Sequence, residues 1–359
     1  MSMLALATDA FGGKGGIAQY NRDFFGALAA SGSLSSIVVV PRHADDAPDV
    51  PAGIEQRPPR AGRLSYVLAA LRETLARPCD VVFCGHLYMA PLALLLARLR
   101  RAKLVIQMHG IEAWQRPSTL RRQAVEAADL VLCVSRHTRA AVLGWASIVP
   151  ERVIVVPDTV SDTFTPGDGS ALRTAWGLQG KKVLLTVGRT SAAERYKGHD
   201  RVIQALPRLV AQGHDAVYVV LGDGDDRERL AALAAREGVA DRARFMGAVN
   251  FETLANAYRM ADVFVMPSTG EGFGIVFLEA MASGTPVIGL AVAGASDALA
   301  DGELGVATTE AEFCIELEGA LSRPKPDAKA LAAALKRRFG YNQFRTRAAV
   351  ALNRLMEPA

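Results

Sequence analysis

The chain has 359 residues, of which half are apolar and only 6% are aromatic, and its formal net charge is +4. This length suffices for two domains of ordinary size, each with its own core. The longest apolar stretches, such as residues 89–97, are too short to span a bilayer, so we expect no transmembrane helix.

The first residues and the cysteines indicate a cytoplasmic protein. No basic start and no long apolar region precede Asp9, which argues against a secretory signal. The four cysteines lack the C-x-x-C spacing of a zinc site and lie mostly in apolar runs. We therefore expect buried, reduced thiols and no metal site. These cysteines are Cys79, Cys84, Cys133 and Cys314.

The first half alternates short apolar runs with amphipathic segments. Continuous β-branched runs are typical of buried parallel strands, and the segments between them have helical periodicity. The pattern predicts repeated β-α units in a doubly wound sheet. The predicted strands include residues 36–40, 80–84, 103–108, 129–134 and 152–156, and the helices include residues 64–77 and 119–128.

A glycine-rich loop lies between the first strand and a helix-like segment at residues 18–30. It reads Gly12-Gly13-Lys14-Gly15-Gly16, and glycines allow a phosphate or a sugar to approach the backbone. The loop is not a Walker A motif, because no Gly-Lys-Ser/Thr follows. We predict a donor contact at Gly15 and Gly16, with a plain tight turn as the alternative.

Two histidines directly follow predicted strands. His109 follows residues 103–108 and His86 follows residues 80–84. Ligands of doubly wound sheets bind beyond the carboxyl ends of the strands, so both imidazoles are candidates for the site. A single histidine is more often structural, but this position favours a catalytic-site role for His109. His86 is a candidate for the acceptor side.

Residues 157–169 concentrate turn-forming residues without periodicity and form the best candidate linker. A second series of apolar runs follows, at residues 182–187, 216–221, 262–266 and 285–289. We therefore predict two Rossmann-like domains, at residues 1–160 and 161–340.

The segment at residues 267–286 carries the most chemical information. A strand ends, a glycine-rich loop follows, and a helix begins near Gly274. The free N–H groups of Gly274, Ile275 and Val276 at that helix start suit a phosphate. Glu279 lies just over one turn inside the helix, where it can reach a ribose hydroxyl. Glu271 lies in the loop, nearer the sugar. The alternative is a helix-start charge and a solvated face.

This segment resembles the signature of glycosyltransferase family 4, a retaining family with the GT-B fold of two facing Rossmann-like domains. The resemblance covers nearly the whole chain. It implies that Arg189 and Lys197 grip the donor diphosphate, that backbone around Val249 contacts the base, and that His109 contacts the transferred sugar. It also implies that a final helix, at residues 341–359, crosses back to the first domain. A generic surface arginine and lysine are the alternative.

Two segments depart from the family pattern. The usual Pro-Asn-Gly-Val reads Pro157-Asp158-Thr159-Val160 here. The usual Gly-Gly-x-x-Glu reads Ala293-Gly294-Ala295-Ser296-Asp297. Both departures concern contacts to the donor sugar rather than membership of the family.

The expected activity is retaining transfer of a hexosyl unit from a UDP- or GDP-sugar to a saccharide or lipid-linked acceptor, in polysaccharide or glycoconjugate biosynthesis. We expect no cofactor and no metal, since Arg189 and Lys197 supply positive charge. The acidic segment Gly222–Asp226 reads as a turn rather than as a metal site. The alternatives are a nucleotide-sugar epimerase or phosphorylase of GT-B type, and a non-catalytic partner that binds sugar nucleotides.

The first domain is basic. Residues 57–152 contain 15 lysines and arginines against 6 acidic residues. This excess indicates an anionic partner, and peripheral contact with an anionic membrane is one possibility. A solvated basic face is the alternative, and we expect no nucleic acid partner.

Overall fold

The computed structural model describes residues 1–44 and 49–355. Contacts divide the chain into two compact units. The first unit comprises residues 1–159 and 341–359, and the second comprises residues 160–340. Predicted residues 356–359 of the last helix lie outside the described residues.

The first unit is built from alternating strands and helices. Its strands form a seven-stranded parallel sheet in the order β3-β2-β1-β4-β5-β6-β7. The elements are β1 Ser2–Ala7, α1 Gly16–Ser31, β2 Ser36–Pro41, β3 Ile54–Gln56, α2 Arg63–Ala76, β4 Val81–Cys84, α3 Ala90–Arg100, β5 Lys103–Met108, α4 Ile111–Trp114, α5 Thr119–Glu126, β6 Leu130–Cys133, α6 Arg136–Trp145 and β7 Val153–Val155.

The second unit repeats this architecture with a six-stranded parallel sheet in the order β10-β9-β8-β11-β12-β13. The elements are α7 Ser170–Ala175, β8 Lys182–Val187, α8 His199–Ala211, β9 Ala216–Leu221, α9 Arg227–Arg236, β10 Ala243–Gly247, α10 Phe251–Met260, β11 Val263–Met266, α11 Ile275–Ala282, β12 Val287–Leu290, α12 Ala293–Ala298, β13 Val306–Thr308, α13 Phe313–Ser322 and α14 Ala328–Phe339.

The last helix, α15 (Tyr341–Asn353), belongs to the first unit. It packs against α1, where Phe344 lies edge-on to Tyr20, with ring centroids 5.7 Å apart. Short 3₁₀ segments complete the secondary structure, at Leu87–Met89, Pro150–Arg152, Ala192–Lys197, Ala240–Arg242 and Ala300–Gly302.

The central strands are buried on both faces, as their continuous apolar runs predict. Residues of β4, β6, β9 and β11 are all buried. Helices cover the sheets and complete one core in each unit. The prediction of two Rossmann-like α/β domains is confirmed. All four cysteines are free thiols. Within residues 1–44 and 49–355, no helix is both long and apolar enough to cross a membrane.

Candidate active site

Lys197 is brought to its position by the glycine that follows it. Gly198 has a φ of 80°, and a Cβ there would lie 2.3 Å from the carbonyl oxygen of Pro267. Only glycine therefore allows this turn to pack directly against the end of β11. As a result, the Lys197 Nζ lies 3.6 Å from Oε1 of Glu271. Glu271 belongs to the glycine-rich loop that the sequence predicts to bind the donor.

Arg189 follows β8 by two residues, and its guanidinium is largely exposed. Its Nη2 donates a hydrogen bond to Glu194 Oε1. Glu194 belongs to the 3₁₀ segment between the two cations, and its Oε2 lies 3.8 Å from Lys197 Nζ. Glu194 and Lys197 are both mostly buried. The structure thus places the predicted basic pair in one cluster, with a carboxylate bridging its two members.

Glu271 is held by side-chain and backbone contacts. The buried Ser268 hydroxyl donates to Glu271 Oε1 over 3.2 Å. The Glu271 carbonyl accepts from the Gly294 N–H at the start of α12. A Cβ at Gly294 would lie 2.0 Å from the carbonyl oxygen of Gly272, so this approach requires glycine. Gly294 is therefore a structural support of the Glu271 loop.

The predicted helix start is where the sequence indicated. Gly274 precedes α11 with a φ of 98°, and a Cβ there would lie 2.7 Å from the ring of Phe277. Ile275 and Val276 are the first two residues of the helix, and both are half-buried. Their N–H groups belong to the first turn, where no carbonyl of the same helix can accept them. This end of α11 therefore offers N–H donors and the positive end of the helix dipole.

Glu279 is the fifth residue of α11, as predicted, and it has a partner that the sequence did not indicate. Its Oε2 accepts a 2.6 Å hydrogen bond from the hydroxyl of Tyr258, whose side chain is buried. Burial raises the pKa of Glu279 to about 7, although the Tyr258 hydrogen bond acts in the opposite direction. The carboxyl therefore titrates close to neutral pH.

Val249 lies between β10 and α10, where it is half-buried. Its position is fixed on both sides, since the Ala248 N–H donates to Asp223 Oδ2 and Asn250 caps α10.

The acidic segment that contains Asp223 forms a turn, as the sequence favoured. Asp225 accepts from the Ala192 N–H, and Asp226 pairs with Arg195 and Arg229.

In the first unit, His109 directly follows β5. Its Nε2 lies 3.0 Å from the carbonyl oxygen of Gly85, and a carbonyl only accepts, so Nε2 carries the proton. Burial lowers the pKa of His109 to about 4, while the Glu112 carboxylate opposes this effect. The imidazole is therefore neutral at pH 7 and presents an unprotonated Nδ1.

His86 directly precedes the 3₁₀ segment Leu87–Met89. Its ring centroid lies 6.4 Å from that of His109, so the two predicted histidines are neighbours. Its Nδ1 accepts a long hydrogen bond from the Tyr88 N–H, 3.4 Å in length. Burial lowers the pKa of His86, which favours the neutral form. One role of His86 is thus to cap the segment that it begins.

The first glycine loop is held by hydrogen bonds from α1 and has open space beside Gly15 and Gly16. Arg22 of α1 donates to the carbonyls of Ala10 and Gly13 and so holds the loop on its own helix. Gly15 has a φ of 91°. A Cβ on Gly15 or Gly16 would meet no heavy atom within 4 Å. These two glycines are therefore not required by packing against the protein itself.

The two departures from the family pattern have distinct environments. Asp158, at the position of the usual asparagine, is buried, and burial together with the nearby Asp23 carboxylate raises its pKa to about 7. Ala293, at the position of the first usual glycine, has a φ of 48°. A left-handed backbone favours glycine, which explains the family preference at that position.

Sequence reasoning missed Glu194, Tyr258 and Gly294. Glu194 could have been found, because it lies between Arg189 and Lys197 in the sequence. Tyr258 gave no signal, since its contact to Glu279 joins two helices 21 residues apart. Gly294 was noted only as part of a departure, although its contact with the Glu271 loop requires glycine.

Comparisons with known proteins identify the family of the chain. Residues 170–347 match the family described as glycosyl transferases group 1, and residues 14–164 match glycosyltransferase family 4. A GDP-mannose-dependent alpha-(1-6)-phosphatidylinositol monomannoside mannosyltransferase from Mycolicibacterium smegmatis is 31% identical over 338 residues, which cover 84% of each chain. The chain belongs to glycosyltransferase family 4. A D-inositol 3-phosphate glycosyltransferase from Geodermatophilus obscurus is 40% identical over 195 residues, or 51% of this chain and 43% of that relative.

Solved structures of other proteins share the fold of this chain. Anabaena HepE in complex with UDP superposes with a TM-score of 0.78 and 20% identity, over 98% of this chain and all of that one. Sucrose-phosphate synthase from Thermosynechococcus elongatus gives a TM-score of 0.75 and 22% identity over 99% of each chain. The fold is therefore GT-B.

Proposed function

We propose that this family member transfers a hexosyl unit from a UDP- or GDP-sugar to a saccharide or lipid-linked acceptor, with retention at the anomeric carbon. The observation that carries the donor half is the cluster in the second unit. Lys197 Nζ lies within 4 Å of two carboxylates, and Arg189 is hydrogen-bonded to one of them. Such a cluster can release its cations to a diphosphate. The relatives named for GDP-mannose and the neighbour bound to UDP support a nucleotide donor.

In this proposal, two sets of groups stabilise the negative charge that develops on the leaving diphosphate. They are the cations Arg189 and Lys197, and the N–H groups of Gly274, Ile275 and Val276. Glu279 accepts hydrogen bonds from the ribose, and backbone around Val249 contacts the base. Gly15 and Gly16 let the donor approach the backbone of the first glycine loop. The transferase then needs neither a metal nor a further cofactor.

Glu271 anchors the transferred sugar, and neutral His109 contacts it through Nδ1. Retaining hydrolases use two carboxylates about 5 Å apart. Here Glu271 and Glu194 share the Lys197 ammonium, and we assign both an electrostatic role. We therefore favour attack on the same face of the sugar, within an ion pair of the sugar cation and the diphosphate.

A thermal-shift screen of nucleotide sugars, followed by mass analysis of the products with and without acceptors, tests this function. We expect a UDP- or GDP-sugar to stabilise the protein and a glycosylated acceptor to form in the presence of EDTA. Activity that EDTA abolishes and magnesium or manganese restores would reject the metal-free scheme. An isomerised donor formed without acceptor would indicate an epimerase, and binding without any product would indicate a non-catalytic partner.

For the acceptor side we propose His86 as a contact and an anionic membrane as a surface. The end of α3 combines exposed leucines with exposed cations: Leu95 and Leu99 are 55% and 52% exposed, and Arg98 and Arg101 are exposed beside them. Leucines that insert among lipids next to arginines that contact anionic headgroups are typical of peripheral binding. The protein would then act at the inner face of the membrane.

Sedimentation with liposomes tests this surface. We expect anionic vesicles to pellet the protein at low salt and neutral vesicles to leave it in solution. Replacing Arg98 and Arg101 with glutamine should release it, whereas the same change at Arg236 and Arg337, exposed residues of the second unit, should not. Equal pelleting with both kinds of vesicle would favour a soluble acceptor.

A further inference from the structure

The cations that grip the diphosphate in the proposed function are already paired with carboxylates in the structure. Glu194 contacts both cations, through Arg189 Nη2 and, at 3.8 Å, through Lys197 Nζ. Glu271 provides a second carboxylate, 3.6 Å from Lys197 Nζ. Two positive and two negative charges therefore lie together, and the cluster is close to neutral without a ligand.

The Glu194 side chain is mostly buried, whereas that of Arg189 is exposed. The Glu194 side chain is 12% exposed and that of Arg189 is 76% exposed. One Glu194 oxygen, Oε2, is buried and has no hydrogen-bond donor among the described residues. A buried carboxylate oxygen without a hydrogen-bond donor is unfavourable, so Oε2 depends on the Lys197 charge and on the packing of the segment.

The backbone around Glu194 explains how it is held. Its N–H donates to the Ser191 carbonyl, and the Ala192 N–H donates to Asp225 Oδ1 over 2.8 Å. The next residue, Arg195, pairs with the buried Asp226. The acidic turn thus anchors the 3₁₀ segment on both sides of Glu194, so we expect the carboxylate to remain beside the cation pair when a ligand binds.

A bound diphosphate brings further negative charge to Arg189 and Lys197. In a partly buried site, repulsion between charges about 4 Å apart is several-fold stronger than in water. The Glu194 carboxylate then repels the diphosphate and also competes with it for the Arg189 guanidinium. The repulsion acts on the donor and, more strongly, on the released nucleoside diphosphate, which carries one more negative charge.

We propose that Glu194 is a positioning residue that balances the charge of Arg189 and Lys197, limits their affinity for the diphosphate and thereby promotes release of the nucleoside diphosphate product. This inference rests on the proposed function of the same cluster. Product release limits the turnover of many enzymes, so a residue that weakens product binding raises the turnover rate.

Calorimetry on the full chain tests this role. UDP and GDP are titrated into the unaltered protein, and the tighter ligand is then measured against Glu194→Gln, Lys197→Gln and Glu310→Gln. Glutamine keeps the shape and removes the charge. Glu310 is a matched control, because it forms an exposed ion pair with Arg201 in the same unit. The corresponding nucleoside, which lacks phosphates, serves as the control ligand.

We expect Glu194→Gln to bind the nucleoside diphosphate about tenfold more tightly, with unchanged affinity for the nucleoside, and to show stronger product inhibition with a lower kcat. Glu310→Gln should bind as the unaltered protein does. Glu194→Ala repeats the test should the glutamine variant fold poorly.

Unchanged or weaker diphosphate binding by folded Glu194→Gln or Glu194→Ala would overturn the inference, since Glu194 would then merely orient the cations. The proposed function fails in a different way. In that case, the unaltered protein would bind neither diphosphate, or Lys197→Gln would bind as well as the unaltered protein.

Discussion

Two glycine loops precede helices in this molecule, and their glycines serve different purposes. The loop before α1 ends in Gly15 and Gly16, whose missing Cβ atoms leave open space. The loop before α11 ends in Gly274, where a Cβ would meet Phe277, and it is supported by Gly294. Within the first loop, Gly13 and Gly15 are constrained, by the Asp9 side chain and by a φ of 91° respectively, whereas Gly16 has no steric need for glycine within the protein. The second requires glycine to fold.

This difference separates a glycine with open space beside it, Gly16, from one that backbone packing requires, Gly294, although both appear as glycine in the sequence. At Gly294 the neighbour is a backbone carbonyl, which cannot turn away as a side chain can. At Gly16 a Cβ would meet open space, where the proposed function places the donor. We therefore expect a substitution at Gly294 to lower stability strongly, and one at Gly16 to lower activity without lowering stability.

The largest effect is expected at Gly294. Alanine there places Cβ 2.0 Å from the Gly272 carbonyl oxygen, so the Glu271 loop must move. We expect a loss of more than about 3 kcal/mol in the free energy of unfolding, together with loss of activity. Urea denaturation measures the first. Gly144→Ala in α6, where a Cβ meets nothing within 4 Å, is the matched control and should not destabilise.

The helix after the second loop gives the next effect. Glu279→Ala should weaken nucleotide binding by about 1.5 to 3 kcal/mol, because it removes charged hydrogen bonds to the ribose. Calorimetry with the nucleoside diphosphate checks this. Unchanged affinity would show that Glu279 serves only to accept from Tyr258.

The same carboxyl predicts a pH dependence. Its pKa is raised from 4.5 to about 7, so its contribution to stability is complete below about pH 4.5 and is lost as the pH rises through 7. Nucleotide affinity should change in the opposite direction, since the ionised carboxylate is the better acceptor. We expect affinity to rise between about pH 6 and about pH 8, and this rise to disappear in Glu279→Gln.

The same physics explains which strands and contacts the sequence predicts. Strands β8 and β9 were predicted to the residue, because a buried parallel strand needs an unbroken apolar run. Strands β3 and β13 were missed, since each has three residues and lacks the continuous β-branched run that indicated the equally short edge strand β7. His86 and His109, which the sequence placed after predicted strands, follow β4 and β5 in the structure. Contacts such as Tyr258–Glu279 depend on how two helices pack, which local patterns do not encode.

A smaller effect is expected at the first loop. Gly16→Ala adds a Cβ in open space at the start of α1, where alanine favours the helix. We expect unchanged or slightly higher thermal stability and a fall in kcat/KM of about tenfold, equivalent to about 1.4 kcal/mol. Unchanged kcat/KM would mean that no ligand approaches this backbone, and the loop would be a plain turn.

The smallest effect tests Ala293, the residue before Gly294. Its φ of 48° is left-handed, a conformation that costs a residue with a Cβ about 1 kcal/mol or more. Glycine removes that cost but adds freedom to the unfolded chain, so the two effects partly cancel. We expect Ala293→Gly to raise the free energy of unfolding by about 0.5 kcal/mol, which urea denaturation can resolve. A loss of stability would mean that the Ala293 methyl group packs favourably enough to outweigh its backbone strain. The second loop would then depend on side-chain packing at Ala293 as well as on the absence of a side chain at Gly294.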